Sequence, residues 1–197
     1  KVGVIDSYFP AVMSSEVRQI FTGALGTFER LGLKAESISI PHMHLVPTVF
    51  ACTMRFEDIA PHDHYMRTRP RDYSPRLLYN QISSLTIPEA TYQTAQRVRK
   101  LIYREFETAL AKVDLIVAPT MAIPAPSLEA CERGYVEVDG TRVPLQDSRG
   151  NFLTLFTIPF NLTGLPALSV CCGFSSSGLP VGLQLIGPAF QESLVLQ

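Results

Sequence analysis

Apolar residues near the start of the chain occur first as a short run and then at helical spacing. The run Val2–Ile5 predicts a buried strand. After an N-cap signal at Ser14, apolar side chains recur every three or four residues as far as Leu31, and Gly32 provides a stop. Residues 34–40 then alternate polar and apolar side chains. This pattern predicts a strand–helix–strand unit whose two strands run in parallel.

The middle of the chain contains two helical patterns separated by a proline-rich stretch. Residues 45–59 have a helical pattern, whereas the prolines, histidines and arginines of residues 61–75 predict a surface loop. The tetrapeptide at residues 86–89 matches a capping box. The apolar stripe that follows it predicts a long helix as far as Val113.

Shorter elements follow. The patterns predict a strand over residues 114–118, an extended loop over 119–128 and a hairpin at Asp139-Gly140. They then predict a helix over 153–162, two strands over 167–171 and 181–186, and a helix that starts at 191. Alternation of this kind predicts an α/β fold with a mixed β-sheet flanked by helices.

Composition narrows the class of partner. The 197 residues are 46% hydrophobic and 18% charged, with a formal net charge of −1, which is typical of a globular protein with one sizeable core. Neither nucleic acid nor an anionic membrane is expected as a partner, because each requires a concentrated basic face. No stretch has the length of a membrane-spanning helix. The four cysteines show no CxxC spacing, which predicts buried, reduced thiols and a cytoplasmic protein.

No catalytic group is evident from the residues alone. His62-Asp63-His64 lies in the predicted loop without a second ligand pair, so no metal site is expected, and no cofactor motif is present. The serines at 175–177 lie between two strands and are typical of a turn. None of the four lysines is placed as a base for a nucleophilic serine.

Two segments near the C-terminus carry a family resemblance. NLTGLPALSV at residues 161–170 and GLPVGLQLIG at residues 178–187 resemble blocks of the amidase signature enzymes. Tyr92, Ala95 and Arg99 match further upstream, in the same order. The resemblance implies the C-terminal part of an amidase signature fold, with residues 1–197 as a single segment truncated at both ends.

The resemblance also implies which parts of an active site to expect. Family members use a serine nucleophile, a second serine in a cis peptide and a lysine, all in an N-terminal region to which no residue of this chain corresponds. The present segment would complete the sheet and supply one wall, mostly apolar, of the substrate pocket. The expected lining residues are Thr120, Thr154, Leu155, Thr157 and Phe160. For each of them, packing in the core is an equally good interpretation.

Three functional hypotheses remain open. In the first, the chain is part of an amidase that hydrolyses small carboxamides to carboxylate and ammonia, and it is inactive alone. In the second, it belongs to an amidotransferase A-type subunit; Arg76 lies near an arginine used there, but Thr154 replaces the usual aspartate. In the third, it is a non-catalytic α/β binding domain. The expected partners are an amide substrate in the full-length protein, the missing N-terminal region and a second copy in a homodimer.

Overall fold

The computed structural model describes residues 1–5, 13–147 and 150–197. The helices are α1 (Ser15–Arg30), α2 (Val46–Thr68), α3 (Pro75–Ser84), α4 (Glu89–Leu110), α5 (Leu128–Arg133), α6 (Ile158–Thr163) and α7 (Glu192–Val195). The strands are β1 (Val2–Ile5), β2 (Ala35–Ile38), β3 (Leu115–Pro119), β4 (Tyr135–Val138), β5 (Thr141–Pro144), β6 (Gln146–Asp147), β7 (Gly150–Asn151), β8 (Ala167–Phe174) and β9 (Pro180–Ile186).

A five-stranded mixed sheet in the order β2-β1-β3-β9-β8 organises the molecule. Strand β1 runs parallel to both β2 and β3, as the strand–helix–strand pattern predicts. Strand β9 runs antiparallel to β3 and β8, and this reversal makes the sheet mixed. The predicted α/β class is therefore confirmed.

Both faces of the sheet are covered, because successive strand residues point to opposite sides. Val117 of β3 packs with Phe21 of α1 in one buried cluster. Its neighbour Ile116 belongs to the larger cluster that contains Ile102 and Phe106 of α4. The apolar stripes that predict α1 and α4 are therefore the faces that these helices bury.

The prediction of a loop over residues 61–75 is wrong. Helix α2 continues through Pro61 to Thr68, and a short 3-10 turn and α3 follow. A proline inside a helix removes one backbone hydrogen bond and is locally unfavourable. Tertiary contacts on either side of Pro61 offset this cost: Glu57 accepts a hydrogen bond from the Tyr92 hydroxyl at 2.9 Å, and His62 Nδ1 lies 2.8 Å from the Tyr73 hydroxyl.

The predicted capping box at residues 86–89 does not form. Helix α4 begins at Glu89 with Pro88 as its N-cap, and no side chain caps it. The Thr86 hydroxyl instead donates to the carbonyl oxygen of Ser83 at 2.7 Å, because Thr86 still belongs to the turn that ends α3.

The predicted helix over residues 153–162 is interrupted. A 3-10 turn occupies Phe152–Thr154, and α6 starts only at Ile158, with a proline in its first turn. Gly164 ends α6 in the left-handed region with φ of 73°, as expected for a helix stop.

The predicted hairpin is confirmed as β4 and β5, with Asp139 and Gly140 both at positive φ.

The prediction of buried thiols is wrong, because Cys52 and Cys172 are only half-buried. The four cysteines lie within the described ranges and form no disulfide, but Cys131 and Cys171 are exposed. Burial raises the pKa of the Cys52 and Cys172 thiols above the ordinary value.

No helix in the described ranges combines the length and apolarity needed to cross a membrane.

Candidate active-site cleft

A cleft of about 450 Å³ opens between α2, α3 and the chain from Gln146 to Asn161. Its apolar floor includes Pro47, Phe50 and Ile158. Most other lining side chains are polar. Its carboxamide residues are Asn80, Gln81, Gln146, Asn151 and Asn161, its hydroxyl residues are Ser84, Thr154 and Thr157, and its charged residues are Arg55, Asp58 and Arg76.

Two of the five predicted lining residues lie together in this cleft. The Thr154 hydroxyl donates to the carbonyl oxygen of Asn151, and the Thr157 hydroxyl donates to that of Thr154, each at 3.0 Å. Each hydroxyl proton is used internally, so the threonine oxygens are left to accept hydrogen bonds. The two threonines therefore suit a ligand that carries N–H or O–H donors.

The other three predicted residues lie elsewhere. Leu155 and Phe160 are 4% and 3% exposed and belong to the core, where the Phe160 ring packs edge-on against Phe106. Thr120 follows β3, and its hydroxyl lies 2.7 Å from that of Ser169 on β8. The structure thus separates the predicted set into two cleft residues, two core residues and one residue on the sheet.

Although most of its side chains are polar by type, the cleft exposes more apolar than polar surface. Sequence reasoning missed the contribution of α3, because residues 61–75 were interpreted as a loop that leads into an unassigned segment. A local signal for α3 was nevertheless present. Ser74 accepts from Leu77 N at 3.3 Å, and Pro75 occupies the first helical position, which is a standard helix start.

A buried glutamine fixes the segment that carries the two cleft threonines. Gln184 of β9 donates from its side-chain nitrogen to the carbonyl oxygens of Pro119 at 2.9 Å and Phe156 at 3.0 Å. The chain between Thr154 and Thr157 is therefore tied to the centre of the sheet. Arg99 of α4 holds the other end of the segment by donating to the carbonyl oxygen of Leu162 at 2.6 Å.

The serine cluster at residues 175–177 is not a nucleophile paired with a base. Ser175 lies 2.9 Å from the hydroxyl of Ser177 and accepts from Leu179 N, which is the hydrogen bonding of a turn. Ser15 bonds to Asp139 and Ser169 to Thr120, so neither of these hydroxyls bonds to a lysine or histidine. Within residues 1–5, 13–147 and 150–197, no group of three metal-ligating side chains is present, and His62 and His64 lie on α2.

Comparison with known proteins decides the family. The sequence model of the amidase family matches residues 1–196. This chain belongs to the amidase signature family. The family blocks at residues 161–170 and 178–187 correspond to the end of α6, β8 and β9. Arg99 donates to the end of α6, and Gln184 of β9 donates to Phe156 beside the cleft.

The relatives of this amidase family member include A-type subunits of glutamyl-tRNA(Gln) amidotransferase. The chain is 36% identical to the one from Thermodesulfovibrio yellowstonii, over 100% of this chain and 43% of the relative. It is 37% identical to the one from Moorella thermoacetica, over 100% of this chain and 42% of the relative. The chain therefore spans less than half the length of these curated relatives.

A solved structure shows the same fold. A crystal structure described as an amidase superposes with a TM-score of 0.87 at 29% identity, covering 99% of this chain and 43% of that one. The mixed sheet with flanking helices is thus the arrangement found in an amidase of the same family.

Proposed function

We propose that this chain forms the substrate-binding wall of an amidase that hydrolyses carboxamide C–N bonds to carboxylate and ammonia. The observation that carries the proposal is the cleft between α2, α3 and the chain around Thr154 and Thr157, in which hydrogen-bonding side chains stand on an apolar floor, in a member of the amidase signature family. In this proposal residues 1–197 are one segment of an amidase domain, and the nucleophile and base come from outside them.

Chemistry supports this division of roles. Amide hydrolysis requires an activated nucleophile and donors for the developing oxyanion. The resemblance assigns the serine and lysine of the family to a region outside residues 1–197, and no group of three metal-ligating side chains occurs in the described ranges. The described residues offer a concave, hydrogen-bonding surface instead, and such a surface can orient a small amide. The isolated chain is therefore proposed to be inactive.

An amidotransferase A-type subunit is the second candidate, because the relatives at 36% and 37% identity are subunits of that kind. Arg76 lines the same cleft as Thr154, which suits a substrate with a carboxylate. By resemblance, however, such subunits carry an aspartate where this chain has Thr154. Threonine offers no negative charge to the ammonium group of glutamine, so we favour the amidase.

Ammonia release from a panel of amides tests the proposal. The chain of residues 1–197 is compared with a longer form that includes the upstream coding sequence. We expect ammonia only from the longer form, and we expect its activity to disappear when the lysine of the upstream region is replaced. Robust hydrolysis by residues 1–197 alone would show that the assignment of roles is wrong.

Two further assays separate the alternatives. Ammonia transfer from glutamine to glutamyl-tRNA, with no hydrolysis of small amides, would favour the amidotransferase. Binding of amides without turnover by either form would favour a non-catalytic binding domain.

A cytoplasmic location and a homodimer are also proposed. The free cysteines support the cytoplasmic location. Cell fractionation and sedimentation velocity of the longer form test the two proposals.

A further inference from the structure

The cleft contains one buried polar group that the described part of the chain leaves unsatisfied. Gln81 lies on α3, lines the cleft and is 4% exposed. Its side-chain oxygen Oε1 has no hydrogen-bond partner among residues 1–5, 13–147 and 150–197. Native proteins rarely bury an amide oxygen without a donor, because the lost hydration is not replaced. Packing alone therefore does not account for a glutamine at this position.

A neighbour on the same helix shows the contrast. Ser84 is also buried and also lines the cleft. Its hydroxyl donates to the carbonyl oxygen of Asn80 at 2.8 Å, so the helix itself satisfies it. The unsatisfied state is thus specific to Gln81 and is not a general property of the buried face of α3.

No hydrogen bond within the described ranges fixes the orientation of the Gln81 carboxamide. Its nitrogen donates to no residue within those ranges. The terminal torsion of glutamine is broad and roughly two-fold, and a half-turn exchanges the oxygen and the nitrogen. A carboxamide held in this way can accept one N–H and donate to one carbonyl of the same ligand.

The surroundings indicate which ligand complements this group. Asn80, Asn151 and Asn161 add further carboxamides to the cleft, and the oxygens of Thr154 and Thr157 act as acceptors. A second amide or a ureido group matches such a surface, because it combines an N–H donor with a carbonyl acceptor in one plane. An alkyl or aryl chain would leave the buried oxygen of Gln81 unsatisfied.

We propose that Gln81 binds an N–H group in the body of the substrate, apart from the carboxamide that is hydrolysed. The inference rests on the proposed amidase function and adds the substrate class: a small primary carboxamide that carries a second amide or ureido group. Gln81 is then a specificity-determining residue that accepts a hydrogen bond from the substrate.

A pair of compounds that differ at one position tests this role. N-acetylglycinamide has an N–H where 4-oxopentanamide has a methylene group, and each loses its terminal nitrogen as ammonia when water supplies the new carboxylate oxygen. In the longer form of the protein, we expect Gln81→Met to lower kcat/KM for N-acetylglycinamide by about tenfold or more. The value for 4-oxopentanamide should change by no more than about twofold, because that compound lacks the donor.

Two controls separate recognition from damage to the fold. Ser83→Ala removes a hydroxyl of the same helix that donates to the carbonyl oxygen of Asn80 at 2.8 Å and does not line the cleft, so it should leave the ratio of the two kcat/KM values unchanged. Gln81→Met should not lower the melting temperature, because it replaces an unsatisfied buried amide by an apolar side chain of similar size. Equal losses on both compounds, or no loss on N-acetylglycinamide, would overturn the inference while leaving the amidase function intact.

Calorimetric binding on the same proteins keeps the two proposals distinguishable. If neither compound releases ammonia, the amidase proposal fails for these amides. Weaker binding of N-acetylglycinamide to the Gln81→Met protein, with unchanged binding of 4-oxopentanamide, would still support the role of Gln81. Equal binding of N-acetylglycinamide to both proteins, or no binding to either, would overturn it.

Discussion

The side-chain amide of Gln184 donates a hydrogen bond to the backbone carbonyl oxygen of Phe156 at 3.0 Å, from a position that is 4% exposed. The same nitrogen donates to the carbonyl oxygen of Pro119 at 2.9 Å, so both of its hydrogens are used. One side chain of β9 thereby joins the end of β3 to the segment that carries Thr154 and Thr157. The position of the cleft wall depends on this link.

Replacement of Gln184 by leucine should destabilise the fold. Leucine is close to glutamine in size but removes the donor to two buried carbonyl oxygens. We expect a loss of about 2–4 kcal/mol in the free energy of unfolding, since each lost donor costs about 1–3 kcal/mol. Urea denaturation measures the change. Gln93→Leu, at an exposed position of α4, is the control and should shift the value by less than about 0.5 kcal/mol. Equal effects of the two substitutions would contradict the role of the buried link.

Arg99 should stabilise the end of α6 through its charge. The last carbonyl oxygens of a helix lack partners within the helix, and Arg99 donates to that of Leu162. We expect Arg99→Met to cost about 1.5–3 kcal/mol, the range for a hydrogen bond from a charged group. Arg97→Met is the matched control, because Arg97 is exposed and donates only to Thr94 on its own helix. Thermal unfolding of the two variants at equal protein concentration provides the comparison, and an Arg97 variant as unstable as the Arg99 variant would refute the prediction.

Replacement of two glycines by alanine should change the free energy of unfolding in opposite directions. Gly164 has φ of 73°, so Gly164→Ala forces an L-residue into the left-handed region at a cost of about 1–2 kcal/mol. Gly23 lies inside α1 with no atom within 4 Å of an added Cβ. Gly23→Ala should therefore stabilise the protein by about 1 kcal/mol through helix propensity. Denaturant midpoints that move in the same direction for both variants would show that these backbone arguments fail.

Glu16 should make stability depend on pH. Its carboxylate accepts from the backbone N–H of Ser176 at 2.6 Å, and this hydrogen bond lowers the pKa of Glu16 below the ordinary value. A lowered pKa in the folded state stabilises the protein above the pKa of the unfolded chain, and this contribution is lost as the pH falls through the folded pKa. Glu16→Gln should therefore destabilise the protein near neutral pH and have a smaller effect at about pH 3, below the ordinary pKa of glutamate.

Measurement of unfolding at both pH values tests the Glu16 prediction. Glu29→Gln is the control, because Glu29 is exposed on the same helix and its carboxylate accepts no hydrogen bond from a described residue. A difference between wild type and Glu16→Gln that stays constant with pH would assign the effect to packing instead of charge.

Several elements can be predicted from the sequence because their local pattern agrees with their role in the fold. The apolar stripes of α1 and α4 are the buried faces, and the run Val2–Ile5 lies inside the sheet. The blocks around Gly164 and Gly178 indicated the family, because turns at positive φ restrict the residues that fit them. Such features depend on neighbours in the chain, so they can be predicted from sequence.

Only the tertiary structure decided the course of α2 and the composition of the cleft. Local propensity ends a helix near Pro61, but the contact of Glu57 with Tyr92 on α4 and that of His62 with Tyr73 beyond the end of α2 offset that penalty. The meeting of Gln81 with Thr154 and Thr157 depends on how α3 packs beside a segment some seventy residues away. A periodic pattern shows which face of an element is apolar. It contains no information about which two distant faces share a cavity, because that depends on the packing of whole elements against the sheet.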